Sequence, residues 1–267
     1  MENIMNIPAV TAHCYDTATF TPCARRASRL DSPSTGRYNC GSPTGHMALM
    51  AELKVVLFDL DGVLVDTQAL HYRSWQRLAD EEGLVFDERK GDAFRGMARD
   101  ECVRVLYRDY NNRPVPDHAT MEELMARKNG YYRVTLDKAV PADLVLPGAV
   151  ALLEALRREH ILVVVASGSK NAKDVIAHAA LGPYFDAVID RFDVQDTKPD
   201  PTIFLKALAA VKMPARNAVG VEDAVLGVQA LRGAGVKSIG VGHYVRDADL
   251  MVDKIEHVTV AAMRALL

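Results

Sequence analysis

The chain is predicted to be an α/β protein: a parallel sheet with helices on both faces and an all-helical segment inserted after the first strand. Three observations predict it. The apolar, β-branched run Val55-Val56-Leu57-Phe58 reads as a fully buried strand. From Pro147 onward, helical stretches alternate with short apolar strands, the pattern of a parallel sheet. Between Thr67 and about Asp137 there are helical periodicities and no strand candidate.

Taken in order, residues 1–49 are expected to form an extension. Up to about His46 it is rich in Thr, Ser, Pro, Ala and Gly without helical or strand period, which implies disorder or weak order. Arg25, Arg26, Arg29 and Arg37 outnumber Glu2, Asp16 and Asp31, a bias shared with transit peptides, but no amphipathic helix accompanies it. A cytoplasmic location is therefore the expectation, with organelle targeting the alternative.

Residues 50–66 and 139–267 are expected to form the α/β core, and 67–138 a helical cap whose borders act as hinges. Its first helix runs from Thr67 to Glu82, with Leu70, Trp75, Leu78 and Ala79 at helical spacing and Gly83 as a stop. A second lies near Asp100 to Tyr110. A third is expected from Thr120, where Thr120-Met121-Glu122-Glu123 has the form of a capping box. In the core, helices are expected over 148–159, 171–181 and 224–232, with strands over 161–166, 187–189, 218–221 and 238–241. Asp200-Pro201 places an N-cap before a first-turn proline and opens a further helix to about Val211.

A chain of 267 residues holds one large domain or two smaller ones with ample material for a core. The net charge of -3 gives no general reason to expect nucleic acid or an anionic membrane as partner. No apolar run approaches the roughly 18 residues of a membrane span. Cys14, Cys23 and Cys40 lie in the extension and Cys102 in the main body, a spacing that suits neither a metal site nor a disulfide framework. A reducing compartment follows.

The chemistry gathers at strand ends. Asp59 and Asp61, one residue apart beyond the first strand, would project from one face, and two like charges that close need a cation between them or a proton on one. Gly62 then lets the chain turn. Three later stretches end strands in the same way: Val165-Ala166-Ser167-Gly168-Ser169, Lys198-Pro199-Asp200-Pro201 and Val219-Gly220-Val221-Glu222-Asp223. Parallel sheets place ligands at such ends. Taken alone, Ser167 reads as a turn residue and Lys198 as a solvated surface lysine; in the order and context of the other stretches, Ser167, just before a helix, is expected to hold phosphate oxygens and Lys198 to supply a point charge. Glu222 and Asp223 in isolation would read as a helix N-cap; matched with Asp59 and Asp61 they read as hard oxygen ligands of the kind that suit magnesium.

In this order the four stretches resemble the motifs of the haloacid dehalogenase superfamily, over the chain from about Leu53 to its end. The resemblance implies a Rossmann-like core with a cap. It also implies Asp59 as the nucleophile that carries the phosphoryl group, and Asp61 as general acid and base. Ser167 and Lys198 would complete the catalytic set, and Asp59, Asp61 (through its backbone carbonyl), Glu222 and Asp223 would hold Mg2+.

The inserted segment resembles that of the β-phosphoglucomutase family in His71-Tyr72-Arg73-Ser74-Trp75, Arg95-Gly96-Met97-Ala98-Arg99 and Arg127-Lys128-Asn129-Gly130-Tyr131-Tyr132, as does Ser167-Gly168-Ser169-Lys170-Asn171 in the core. This implies exchange of phosphate between β-glucose 1-phosphate and glucose 6-phosphate through a bisphosphate. Arg99 would grip the distal phosphate, with Lys128, Gly96, Met97 and Ala98 holding the sugar. Ser169, Lys170 and Asn171 would complete the phosphate pocket, and His71 and Trp75 would sit at the hinge and cap interface. The sequence departs from the family at Cys102, where serine is frequent, at Arg95, where lysine is common, and at Gly168, which replaces alanine. A sugar-phosphate phosphatase would use the same catalytic residues and admit water. A non-catalytic binding module is the reading from another class, and all of Asp59, Asp61, Ser167, Lys198 and Asp223 stand against it. The expected partner is a small-molecule sugar phosphate, bound by a monomer.

Overall fold

The structure, a computed structural model, describes residues 51–267; the expectations for the N-terminal extension lie outside the described residues. Six strands form one parallel sheet: β1 (Val55–Phe58), β2 (Leu162–Ala166), β3 (Ala187–Ile189), β4 (Ala218–Glu222), β5 (Lys237–Val241) and β6 (Leu250–Val252). Their order is β3-β2-β1-β4-β5-β6, so β1 lies between β2 and β4, with Val55 paired to both Leu162 and Ala218. Helices cover both faces of a parallel sheet, and its central strands read as unbroken apolar runs. All four residues of β1 are accordingly 0% exposed. Val56 and Phe58 face one core cluster, and Val55 and Leu57 face the other, as the period of two requires.

Ten α-helices accompany the sheet among the described residues. Four precede the return to the core: α1 (Gln68–Glu81), α2 (Glu88–Asp92), α3 (Arg99–Asn111) and α4 (His118–Asp137). The others are α5 (Pro141–Leu144), α6 (Ala149–Arg158), α7 (Ala172–His178), α8 (Thr202–Ala210), α9 (Val225–Gly233) and α10 (Val260–Ala265). α1, α3 and α4 enclose an apolar cluster of their own that includes Trp75, Leu78, Phe94, Leu106 and Leu124. Trp75 meets Phe94 edge to face, with ring centroids 5.4 Å apart. Leu70 of α1 and Tyr132 and Leu136 of α4 instead join the core cluster, which seats the helical layer on the sheet. No described helix is long and apolar enough to cross a membrane.

Several local expectations are corrected. α4 begins before Thr120: its N-cap is Asp117, whose carboxylate accepts from Thr120 N at 2.8 Å. A carboxylate already occupies the place that the capping box assigned to the Thr120 hydroxyl. α8 starts at Thr202 after an N-cap at Pro201, and Asp200 accepts from Thr202 N at 2.8 Å from one residue further back. α7 ends at His178, short of Leu181, and Ala180 then takes a φ of +55°. The short α2, α5, α10 and β6 escape a periodicity reading because each is too brief to show a period.

Candidate active site

The carboxyl ends of β1, β2 and β4 open into a cavity of about 580 Å³ roofed by the helical segment. Every residue singled out above for catalysis, metal or substrate lines it except Asn171. Asn171 is buried, and its side-chain amide donates to Asn129 Oδ1 of α4 at 2.9 Å. It ties the core to the helical layer instead of facing the cavity.

At the floor, Lys198 Nζ donates to Asp59 Oδ1 and to Glu222 Oε1, both at 2.5 Å, and to Ala166 O at 3.1 Å. Ala166 of β2, Glu222 of β4 and Asp59, the residue after β1, each supply one acceptor, so the ends of adjacent strands hold the ammonium at the seam between them. Asp59, Glu222 and Asp223 bring carboxylate oxygens within 4.8 Å of one another. Two glycines permit this crowding. Gly62 has φ +87°, and a Cβ there would lie 2.0 Å from Asp223 Oδ2. A Cβ at Gly227, in the first turn of α9, would lie 1.9 Å from the Glu222 carboxyl carbon. Sequence reading marked the first of these glycines as a turn and overlooked the second.

The electrostatics follow from burial. Burial works against the Lys198 charge, but Asp59 and Glu222 outweigh it and hold the ammonium above its ordinary range. Burial pushes Glu222 up to about 7, Lys198 opposing the shift and Asp59 adding to it. Asp223 is raised by burial and by Asp59 and Glu222, with Arg95 opposing. Three acids thus share one lysine, and a hard divalent cation suits the remaining negative charge. Asp61 stands apart from that cluster. Burial, then the Asp59 charge, raises it to about 6 against a hydrogen bond from Thr67. Thr67 is the N-cap of α1, yet its side chain makes no capping bond because its hydroxyl is committed to Asp61. Its link to the acid was legible only as a residue preceding a helix.

Beyond β2, Ser167 Oγ accepts from Ser169 N, and Ser169 Oγ accepts from Asn171 N, each at 3.1 Å. Accepting from the backbone orients both hydroxyls and leaves their protons free for an anion.

The roof is cationic. Lys128 of α4 is 1% exposed and its Nζ lies 2.8 Å from His71 Nδ1 of α1, over the rings of Trp75 and Tyr132 at 5.2 and 5.0 Å. Burial, reinforced by Arg99, lowers Lys128 to about 7, with Cys102 and Asp61 opposing. Burial, then the Lys128 and Arg99 charges, takes His71 well below its usual value, so its imidazole is neutral and Nδ1 accepts from the ammonium. Burial pushes the Cys102 thiol up to about 12, which keeps it protonated. Neither Arg99 nor Lys128 has a carboxylate within ion-pair distance among the described residues.

Known proteins share the sequence pattern and the fold. A family model described as haloacid dehalogenase-like hydrolase matches residues 53–235. A β-phosphoglucomutase of Bacillus subtilis is 34% identical over 210 residues, 78% of this chain and 92% of that protein. A fructose-1-phosphate phosphatase of Escherichia coli is 28% identical over 186 residues, covering 70% and 95% of the two chains. The crystal structure of a β-phosphoglucomutase from Clostridium difficile superposes with a TM-score of 0.74 at 30% identity, over 80% of this chain and 96% of that one. With its acids, serine and lysine assembled at the sheet's carboxyl edge, the chain belongs to the haloacid dehalogenase-like hydrolase family.

Proposed function

We propose that the protein is a phosphotransferase of the β-phosphoglucomutase type, interconverting β-D-glucose 1-phosphate and glucose 6-phosphate through an aspartyl phosphate and a bisphosphate. The observation that carries this reading is the pair of cavity cations, Arg99 and Lys128, left without a carboxylate partner in the roof. Phosphoryl transfer at the floor needs one anion subsite; a second in the roof fits a substrate that carries a second phosphate.

The Asp59 carboxylate attacks phosphorus, forming an acyl phosphate and splitting one hard displacement into two easier ones. Asp61, raised to about 6, is partly protonated near neutrality and gives its proton to the departing sugar oxygen. It takes a proton from the incoming hydroxyl in the return step. The Lys198 ammonium and the Ser167 hydroxyl hold the transferring phosphoryl oxygens. Asp59, Glu222, Asp223 and the Asp61 backbone carbonyl would hold Mg2+, which when bound spreads charge from the phosphoryl oxygens. Arg99 grips the distal phosphate as a fork, and Lys128 and the Gly96 to Ala98 backbone hold the sugar. Closure of the helical layer keeps water from the acyl phosphate while the bisphosphate turns over.

The test supplies β-glucose 1-phosphate, magnesium and a trace of glucose 1,6-bisphosphate, and compares glucose 6-phosphate formed with inorganic phosphate released. Glucose 6-phosphate in large excess is expected. Mainly inorganic phosphate, from many sugar phosphates alike, would make the protein a phosphatase, as several relatives are by name.

The Lys128 shift sets an expected pH dependence. In the free enzyme the ammonium loses its proton as pH rises through about 7, and the neutral amine no longer adds its charge to the roof that holds the sugar and, through Arg99, the distal phosphate. The substrate's phosphate becomes dianionic near about 6, which raises kcat/KM first. A bell-shaped kcat/KM is expected, its alkaline side drawn by the Asp61 proton lost near about 6 and the Lys128 proton lost near about 7; Lys128→Met should lower the whole curve and leave only the Asp61 step on that side. A wild-type profile still rising at pH ~9 would remove Lys128 from the free-enzyme binding step.

A further inference from the structure

Besides its apolar seat on the sheet, the helical layer meets the core in polar contacts, two groups of which bear on its placement. One lies beside the return to the core, where Asn129 meets Asn171 and Arg133 of α4 lies 3.6 Å from Asp174 of α7. The other is a clasp over the acid cluster built on Tyr244, in the turn after β5. The Tyr244 hydroxyl donates to Asp92 Oδ2 at 3.1 Å, and the Arg95 guanidinium lies over the Tyr244 ring, 4.6 Å from its centroid. Arg95 is held on two further sides, by Asp92 Oδ1 at 3.5 Å and by Asp223 Oδ2 at 4.0 Å. Its buried Nε has no partner among the described residues, so the tyrosine ring and the two carboxylates carry its placement. Tyr244 is 53% exposed, with one face taken by the guanidinium. It binds both ends of the segment running from Asp92 to Arg95, immediately before Gly96, Met97 and Ala98 in the cavity wall.

We propose that Tyr244 is a positioning residue that pins the 92–98 segment over the transfer site and so sets how the phosphoryl group divides between a sugar hydroxyl and water. The inference rests on the mutase reading and deepens it. In the productive branch a sugar oxygen bonds to phosphorus, the bond from phosphorus to the Asp59 oxygen breaks, and the hydroxyl proton goes to Asp61. In the wasteful branch water takes the place of the sugar hydroxyl and inorganic phosphate leaves. The donors and acceptors on the floor are common to both branches. Only the seating of the roof separates them, because a roof free to lift admits water before the bisphosphate has turned. Tyr244 touches neither the reacting atoms nor the acid cluster, and acts through Asp92 and Arg95.

The test uses the full chain and the variants Tyr244→Phe, Tyr244→Ala and Asp92→Asn. Phenylalanine keeps the ring under Arg95 and loses the bond to Asp92; alanine loses both. In Tyr244→Ala the ratio of inorganic phosphate to glucose 6-phosphate is expected to rise about tenfold, and the amides of residues 93–98 to exchange faster with solvent. Hydrolysis of p-nitrophenyl phosphate, too small to need a closed roof, should stay within about twofold. Tyr244→Phe should give an intermediate ratio, and Asp92→Asn, which also removes the ion pair to Arg95, a ratio at least as high. An unaltered ratio with unaltered exchange would overturn the proposal. So would parallel losses of all three reactions in every variant, which is the signature of a structural residue. If the wild-type protein forms no glucose 6-phosphate, the mutase reading fails by itself; amide exchange over 93–98 in Tyr244→Ala then decides the clasp, faster exchange supporting it and unaltered exchange ending it.

Discussion

Asp59→Ala is expected to remove phosphoryl transfer while leaving the protein folded. Loss of a covalent nucleophile acting within a catalytic unit lowers kcat by about 10⁴-fold or more, equivalent to about 5 kcal/mol of barrier. The fold should tolerate the change because the ammonium of Lys198 keeps its bonds to Glu222 Oε1 at 2.5 Å and Ala166 O at 3.1 Å. Removing one of three crowded carboxylates also relieves like-charge repulsion on Glu222 and Asp223. A urea melt at least as resistant as wild type, together with no measurable turnover of sugar phosphate, is the expected pair of results. Turnover surviving in the variant would take the phosphoryl group away from Asp59.

Lys198→Met is expected to fail for the opposite reason, by stability as well as by chemistry. Lys198 is the cation between Asp59 and Glu222, whose side chains are 11% and 1% exposed. A methionine fills the volume and leaves two buried carboxylates facing each other. Breaking a buried pair in this way costs about 3–5 kcal/mol, a large share of the 5–15 kcal/mol that typically separates folded from unfolded domains. Equilibrium urea unfolding should therefore show a fall of at least about 3 kcal/mol, with transfer abolished. A fall under about 1 kcal/mol would mean that the acids relax apart or take up protons without cost, and that Lys198 is not what holds the floor together. The two variants thus separate the nucleophile from the group that organises it.

The candidate site was readable to the extent that its residues sit where a local pattern ends. Asp59, Ser167 and Glu222 each close a short apolar run, and a parallel sheet exposes such ends to ligands. Trp75 and Lys128 were readable only as positions on helices, since whether a helical residue faces its own layer or the cavity depends on what packs across from it. Both do both: Trp75 packs on Phe94 and lines the cavity, and Lys128 is buried while reaching His71. Asn171 shows the limit. Its place two residues past Ser169 suggests the phosphate pocket, but α4 lies close enough for Asn129 to take its amide. Thr67, Gly227 and Tyr244 carried no signal of their own: a helix-capping threonine, a helical glycine and a loop tyrosine are ordinary in isolation.

The amino-acid sequence by itself determined the alternation of strand and helix, the helical insertion after the first strand and the acids at strand ends, because each is written in neighbours within a few residues and in the period of two or 3.6. Only the tertiary structure decided which of those groups meet. Lys198 reaches Asp59 across 139 residues of chain, and Tyr244 reaches Asp92 across 152. Such distances close only when β1 is laid between β2 and β4 and the helical layer is folded down on their ends. Burial, which sets the charges of Asp61, Lys128 and Glu222, is a property of that assembly and of no shorter stretch.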